Sequence, residues 1–277
     1  VKHGTENPTF SQIKSFYDQN LHPDVIDLND EDVYENIFHQ GKWAGIFQFT
    51  EKGAQTFATK AQPKSIIDIA AITSIYRPGP LSAGVDKQYV AAINDTLSIS
   101  YLHELVEEVT KETYGFLIFQ EQIALLAYKL GEGISMDEAN LLRKVLTKKG
   151  TGKGHEVKEA IKEKFITGCE KKSIKKEDAE QLWATFEYFS GYGFNKSHAV
   201  SYSIISFQCA WLYNYFPTEW MCSFLDREPD TRKEKAINIA KSHGFSISDI
   251  DINVSGESWE ATGSVSLVDP LTTIKGL

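Results

Sequence analysis

Cysteine is scarce in this chain. The three cysteines among 277 residues, Cys169, Cys209 and Cys222, are odd in number and far apart. No CxxC pair occurs, which excludes a zinc ribbon and a disulfide framework and leaves reduced thiols of a cytoplasmic protein. Long apolar runs are missing as well: none approaches the ~18 residues that a membrane span requires, and no signal-peptide pattern opens the chain. Positive charge is in deficit, with 29 Lys and Arg against 38 Asp and Glu, a net charge of −9. That balance excludes a protein that coats nucleic acid with its whole surface but leaves room for a local basic patch. An initiator methionine is lacking too. Val1 at the first position suggests a piece of a longer polypeptide.

What is present is a chain that is 42% hydrophobic and 12% aromatic, enough for one large core or two smaller ones. Helical patterning dominates. "FSQIKSFYDQ" reads as a short helical patch, and "DLNDEDVYENIF" starts a helix with acids in its first turn and Val33, Ile37 and Phe38 on one face. "GKWAGIFQFTEKGAQTF" reads as a buried strand or turn entering a helix. "QPKSIIDIAAITSIY" reads as an amphipathic helix stopped by "RPGPL", Arg77 to Leu81. Helices are further expected over "LHELVEEVT" and "FQEQIALLAYKLGEG". Another follows over "SMDEANLLRKVLTKKG", where Ser135 and Glu138 form a capping box. The pattern continues through "GHEVKEAIKEKFITGCEKK", "KKEDAEQLWATFEYFSGYGF" and the aromatic run "AVSYSIISFQCAWLYNYF", closed by Pro217. Beyond about residue 245 the pattern changes to short strands and turns. The expected fold is mainly α with a small irregular or β tail, organised as a connecting segment over 1–25, a helical body over 26–245 and a β/turn segment over 246–277.

Charge is segregated. Between Arg143 and Lys176 stand twelve Lys and Arg against four Glu, a local balance of +8 that leaves −17 for the rest of the chain. A solvated helical face would account for such a run, and so would a phosphate-binding face. "LLRKVLTKKGTGKG" favours phosphate, because Arg143, Lys144, Lys148 and Lys149 run into a glycine-rich loop whose backbone could approach an anion. The loop lacks the spacing of a Walker A motif. The patterns Asp30-Glu31-Asp32 and Asp249-Ile250-Asp251 read as a helix start and a turn rather than as metal sites. His198 has no nucleophile and acid arranged around it in sequence, and no nucleophile elbow occurs.

The ordered motifs together resemble one family, the bacterial DNA polymerase III alpha subunits of the C-family replicative polymerases. "GIFQFTEKGAQ" resembles the family's "GVFQLES-G", and "IAAITSIYRPGPL" its RPGP turn. "TYGFLIFQEQIALLA" is similar to "TYGI--YQEQVM-IA", and "ANLLRKVLTKK" to "AD-LRRAM-KK". "GYGFNKSHAVSYSIISFQCAWLYNYFPTEW" is similar to "GYGFNKSHS-AYA--SYQTAWLK-HYP-EF", and "DIDINVS" to "PDINxS". The likeness covers roughly residues 25 to 277.

The resemblance implies a fingers domain, the part of a replicative DNA polymerase that closes over the nascent base pair. It implies that Arg143, Lys144, Lys148, Lys149, Asn195, Lys196, Ser197 and His198 hold the incoming nucleotide. Arg77, Tyr114, Gln120, Gln122, Lys153 and Tyr192 would contact DNA or support the pocket. Lys144 stands where the family commonly has a second arginine, which keeps the charge but not the planar fork. The family's palm motifs "PDxDxDF" and "KFDFLG" do not occur, so catalytic residues and metal ligands are expected outside this chain. Mg2+ would then serve only the complete polymerase, held by palm residues, and this chain alone would be inactive. The partners implied are DNA template–primer, dNTP, a palm-containing polypeptide (fused or separate) and other replisome subunits, with no membrane, at the bacterial nucleoid or in a phage-infected cell. The alternative is a non-catalytic fingers homologue that binds DNA or a replisome partner and competes with a host polymerase.

Overall fold

The computed structural model describes residues 9–146, 153–190 and 193–274. The fold is mainly α. In chain order the helices are α1 (Phe10–Asn20), α2 (Glu31–Val33), α3 (Lys52–Ala61), α4 (Ile66–Ile75), α5 (Pro78–Ser82), α6 (Val85–Ile93), α7 (Glu104–Thr110) and α8 (Gln120–Leu130). They continue as α9 (Met136–Leu146), α10 (Lys153–Lys171), α11 (Lys176–Ser190), α12 (Lys196–Tyr215), α13 (Pro217–Arg227) and α14 (Asp230–Ser242). Three short strands follow, β1 (Ser246–Ser248), β2 (Glu260–Gly263) and β3 (Ser266–Val268), in the order β1-β3-β2, with β1 parallel and β2 antiparallel to β3.

The chain divides into two compact units. One comprises Gln48–Ser203; the other joins Val1–Phe47 to Ile204–Leu277, so the second boundary falls inside α12.

In the unit of Gln48–Ser203, α7 to α11 enclose a core that includes Leu126, Leu130, Leu142, Phe165, Trp183 and Phe186. Three of these rings form a cluster, with Phe165 centred 5.4 Å from Trp183 and 5.2 Å from Phe186. Truncating one such ring to alanine removes ~3–5 kcal/mol. The predicted capping box starts α9: Ser135 N–H donates to Glu138 Oε2 at 2.8 Å, and Glu138 N–H donates to Ser135 Oγ at 3.1 Å. Helix α10 approaches the end of α8 at Gly168, where an added Cβ would stand 2.3 Å from Leu130 O.

One expectation fails in this unit. Helix α4 is not amphipathic: Asp68, Ile69, Ala70, Ala71, Ile72, Ser74 and Ile75 are all buried, on nearly every side. A helix surrounded by protein needs apolar residues all round, and the two polar residues are satisfied internally. Ser74 Oγ donates to Ala70 O, and Asp68 accepts from Lys64 N–H and Tyr89 OH. Pro78 also does more than end a helix, because it occupies the first turn of α5, where its missing N–H leaves nothing unsatisfied.

In the other unit, Tyr34 packs 5.0 Å from Phe207, and Ser206 Oγ donates to Phe47 O at 2.8 Å. Trp220 Nε1 donates to Ala44 O at 2.8 Å over Gly45, which sits at φ +73° with the Trp220 ring 3.1 Å from where a Cβ would stand. The helix expected from "DEDVYENIF" forms as α2 running into a π-helix, Tyr34–His39. The stretch from Trp43 to Glu51 is turns rather than strand. Pro217 closes α12 and opens α13.

Candidate functional site

The site begins with a pairing between distant segments. Phe119 and Phe194 form a parallel bridge: Phe194 N–H donates to Ile118 O at 3.1 Å and Gln120 N–H donates to Phe194 O at 2.9 Å. Gln120 Nε2 adds a bond to Gly193 O at 3.0 Å. The approach is close, since a Cβ on Gly193 would stand 3.0 Å from Gln120 Cγ. Each bridged strand runs directly into a helix, α8 after Phe119 and α12 after Asn195. The bridge therefore sets the N-termini of two helices side by side.

Glu121, in the first turn of α8, lies where these ends meet. Its Oε1 accepts from Arg143 Nη1 at 3.0 Å and from Asn195 Nδ2 at 2.8 Å, and its Oε2 accepts from Lys196 N–H at 2.9 Å. Asn195 caps α12, its Oδ1 accepting from His198 N–H at 2.8 Å. An asparagine that caps with its oxygen and donates with its nitrogen has one orientation left to it. The Lys196 ammonium is held by Glu112 Oε1 and lies 5.8 Å from the centre of the Phe119 ring.

An aromatic series continues up the exposed side of α12. Arg77 lies over Phe194, its guanidinium carbon 5.1 Å from the ring centre. Phe194 is 5.6 Å from His198, and His198 is 4.1 Å from Tyr202. His198 and Ser197 are both exposed.

Gln122 is buried and turns inward, with Oε1 accepting from Ile118 and Phe119 N–H at 2.8 and 2.9 Å. Its part is to hold the strand before α8. Tyr114, half-buried and left-handed at φ 54°, packs edge-on against Tyr89 at 5.6 Å. Burial, and then the nearby Asp68 carboxylate, push the Tyr114 hydroxyl well above the usual tyrosine range, and the same two causes act on Tyr89. Both phenols are therefore hydrogen-bonding groups, not proton-transfer groups, near neutral pH.

A family model of the bacterial DNA polymerase III alpha subunit finger domain matches residues 7–173, more than half of the chain. The chain belongs to that family. Among curated relatives, the DNA polymerase III subunit alpha of Campylobacter jejuni is 34% identical over 233 residues, 84% of this chain and 19% of the relative. That of Treponema pallidum is 34% identical over 256 residues, 91% of this chain and 21% of the relative. That of Borreliella burgdorferi is 35% identical over 251 residues, 89% of this chain and 21% of the relative. The chain thus spans about a fifth of the length of these polymerases.

Within this fingers domain the structure brings Arg143, Asn195 and Lys196 together on one carboxylate and lines His198 up with Arg77 through Phe194. Lys144, on α9, is exposed. Lys148, Lys149, Tyr192 and the side chain of Lys153 lie outside the described residues.

The basic segment is less bare than its sequence suggests. Lys158 pairs with Glu187, Lys164 with Glu138 and Lys171 with Glu132, and three of the segment's own partners, Glu121, Glu132 and Glu138, precede it in sequence. Among the described residues no group of three or more His, Cys, Asp or Glu is arranged to hold a metal ion. No helix of these residues is long and apolar enough to cross a membrane. Asp30 instead accepts from Tyr215 OH at 2.8 Å, and Asp251 closes a turn through Asn253 N–H. All three cysteines are free thiols. Burial pushes Cys169 and Cys222 each up to about 11.

The sequence reading named Gln120 and Gln122 and passed over Glu121 between them. An acid in a helical first turn is ordinarily explained by the macrodipole of its own helix. The signal available was "FNK", a start for a second helix that needs an anion as well, but nothing in one dimension shows the two starts to be adjacent.

Proposed function

We propose that this fingers domain binds the triphosphate of an incoming deoxynucleoside and contacts the template–primer. Nucleotidyl transfer is completed by palm carboxylates carried outside this chain. The observation that supports the reading most is the convergence of the Arg143 guanidinium, the Asn195 amide and the Lys196 N–H at the start of α12 on one spot. A guanidinium presents five N–H donors, and its contact with Glu121 uses one nitrogen, so further donors can meet phosphate oxygens. The start of a 20-residue helix adds its dipole in the same sense. Ser197 and His198 stand on the first exposed turn of that helix, within reach of a nucleotide seated there, and Lys144 extends the positive surface along α9.

Phosphoryl transfer rests on positioning and on charge stabilisation by metal ions. This chain supplies the positioning. On this reading Mg2+ belongs to the complete polymerase, held by palm residues outside this chain. The chain by itself transfers no nucleotide. Its place of work is the replisome, at a bacterial nucleoid or in a phage-infected cell, beside a palm-containing polypeptide.

The test has two parts. A labelled deoxynucleoside triphosphate is titrated onto the 277-residue chain with Mg2+ and primed DNA, and Arg143→Ala is expected to weaken binding by ~1.5–3 kcal/mol if the contact is charge-assisted. Unchanged affinity removes Arg143 from the site. A palm-containing polypeptide of the family is then added: restored primer extension supports the polymerase reading. Inhibited or unchanged extension favours the competing, non-catalytic binding protein.

A further inference from the structure

We infer that Glu121 is a positioning residue for the triphosphate site, pre-ordering Arg143 and Asn195 at the N-terminus of α12; the inference rests on the reading that Arg143 binds the triphosphate. Three donors from three separate elements meet on its two oxygens: Arg143 from α9, Asn195 from the strand before α12, and the Lys196 N–H from α12 itself. An unrestrained arginine must lose its rotamer freedom when it grips a phosphate. Held by one nitrogen in advance, Arg143 loses less of it on binding, which is how preorganisation raises affinity. The ion pair is partly shielded, with the side chains of Arg143 and Glu121 only 24% and 27% exposed, so it is better placed to persist than a pair at full exposure. Asn195 is fixed by the same carboxylate, because its nitrogen must face Glu121 while its oxygen caps α12.

The sign of the effect separates positioning from simple charge. A carboxylate close to a triphosphate repels it, so on charge alone the site would bind more tightly without Glu121. On the positioning account it binds more weakly. Glu121→Gln is the informative substitution, since an amide has one acceptor oxygen and turns an NH2 group toward the other donors. It keeps the shape and breaks the convergence.

The experiment measures binding of a fluorescent deoxynucleoside triphosphate, with Mg2+ and primed DNA, to four versions of the whole chain: unsubstituted, Glu121→Gln, Arg143→Ala and the double variant. The expected result is that Glu121→Gln weakens binding severalfold. Arg143→Ala should cost at least about tenfold in the unsubstituted background and less than about twofold beside Glu121→Gln. A merely structural Glu121 would lower the melting temperature without producing that coupling. Equal or tighter binding by Glu121→Gln overturns the inference, and so does an Arg143→Ala effect of the same size in both backgrounds. If Arg143→Ala has no effect even in the unsubstituted chain, the triphosphate reading itself fails and takes the inference with it. Helical circular dichroism establishes folding. Should Glu121→Gln fail to fold, Glu121→Asp keeps the charge but withdraws the carboxylate by one methylene, and the same weakening and loss of coupling are expected of it.

Discussion

Gln122 Nε2 donates to Thr113 Oγ1 at 2.7 Å, across nine residues of chain. The same amide donates to Val109 O at 3.3 Å and accepts from two backbone N–H groups, so all four of its hydrogen-bonding capacities are used in a site that is 1% exposed. Replacing it with leucine leaves the N–H groups of Ile118 and Phe119 buried and unpaired, each at ~1–3 kcal/mol. Gln122→Leu is therefore expected to destabilise the unit of Gln48–Ser203 by about 2–5 kcal/mol, read as a lower melting temperature by circular dichroism. A loss below about 0.5 kcal/mol would mean that other groups reclaim those donors.

Two glycines of one helix give opposite predictions. At Gly168 a Cβ would fall 2.3 Å from Leu130 O and 2.4 Å from Glu132 N, backbone atoms that cannot swing aside. At Gly154 the nearest atom is Val145 Cγ1 at 3.9 Å. Gly168→Ala should destabilise by about 3 kcal/mol or more, through overpacking against backbone. Gly154→Ala should stabilise by ~0.5–1 kcal/mol, because alanine loses less backbone entropy in a helix. Paired thermal melts decide both, and equal shifts would refute the close approach of α10 to α8.

These contrasts show where one dimension suffices. The capping box at Ser135, the helix breaks at Pro78 and Pro217 and the change to strands after Phe245 are local signals, and each appears in the structure. Helix α4 departs from the amphipathic pattern because Asp68, Thr73 and Ser74 point to different sides of "IIDIAAITSI" and Asp68 and Ser74 are buried. The burial of Asp68 depends on Tyr89, 21 residues away. The heart of the candidate site depends on a bridge between Phe119 and Phe194, and Glu121 acquires its partners only through that bridge. Likewise the +8 of the basic segment was countable, whereas its neutralisation by Glu121, Glu132, Glu138 and Glu187 required the helices to be packed.

His243 carries a pH prediction. It is half-buried, its Nδ1 is 3.0 Å from Tyr213 OH, and burial followed by the Lys42 charge holds its pKa below the ordinary histidine value. The folded state thus prefers the neutral ring, and the unfolded chain takes up the proton first, near pH 6.5. Stability from this group is fully present above about pH 6.5 and is lost as the pH falls from there toward the lowered folded value. Melts between pH 7.5 and 5.5, roughly spanning that window, should show falling stability in the natural chain and a flatter profile in His243→Gln. Identical slopes would remove His243 as the cause.

Salt dependence tests the basic segment as a nucleic-acid surface. Each phosphate neutralised lowers log K by ~0.7–0.9 per unit of log salt. Twelve basic residues lie between Arg143 and Lys176, but Arg143, Lys158, Lys164 and Lys171 are held by carboxylates. The twelve together set a ceiling of about 11 on the slope for primed DNA, which pairing with carboxylates lowers. Releasing Lys171 by Glu132→Gln should raise affinity at low salt and steepen the slope by at most about 1, because a lysine paired with a carboxylate must exchange that partner for phosphate. Filter binding or anisotropy from 50 to 300 mM salt, roughly the range over which such slopes are resolved, measures both. A flat profile would mean that the segment's positive charge serves the packing of α9, α10 and α11 and not DNA.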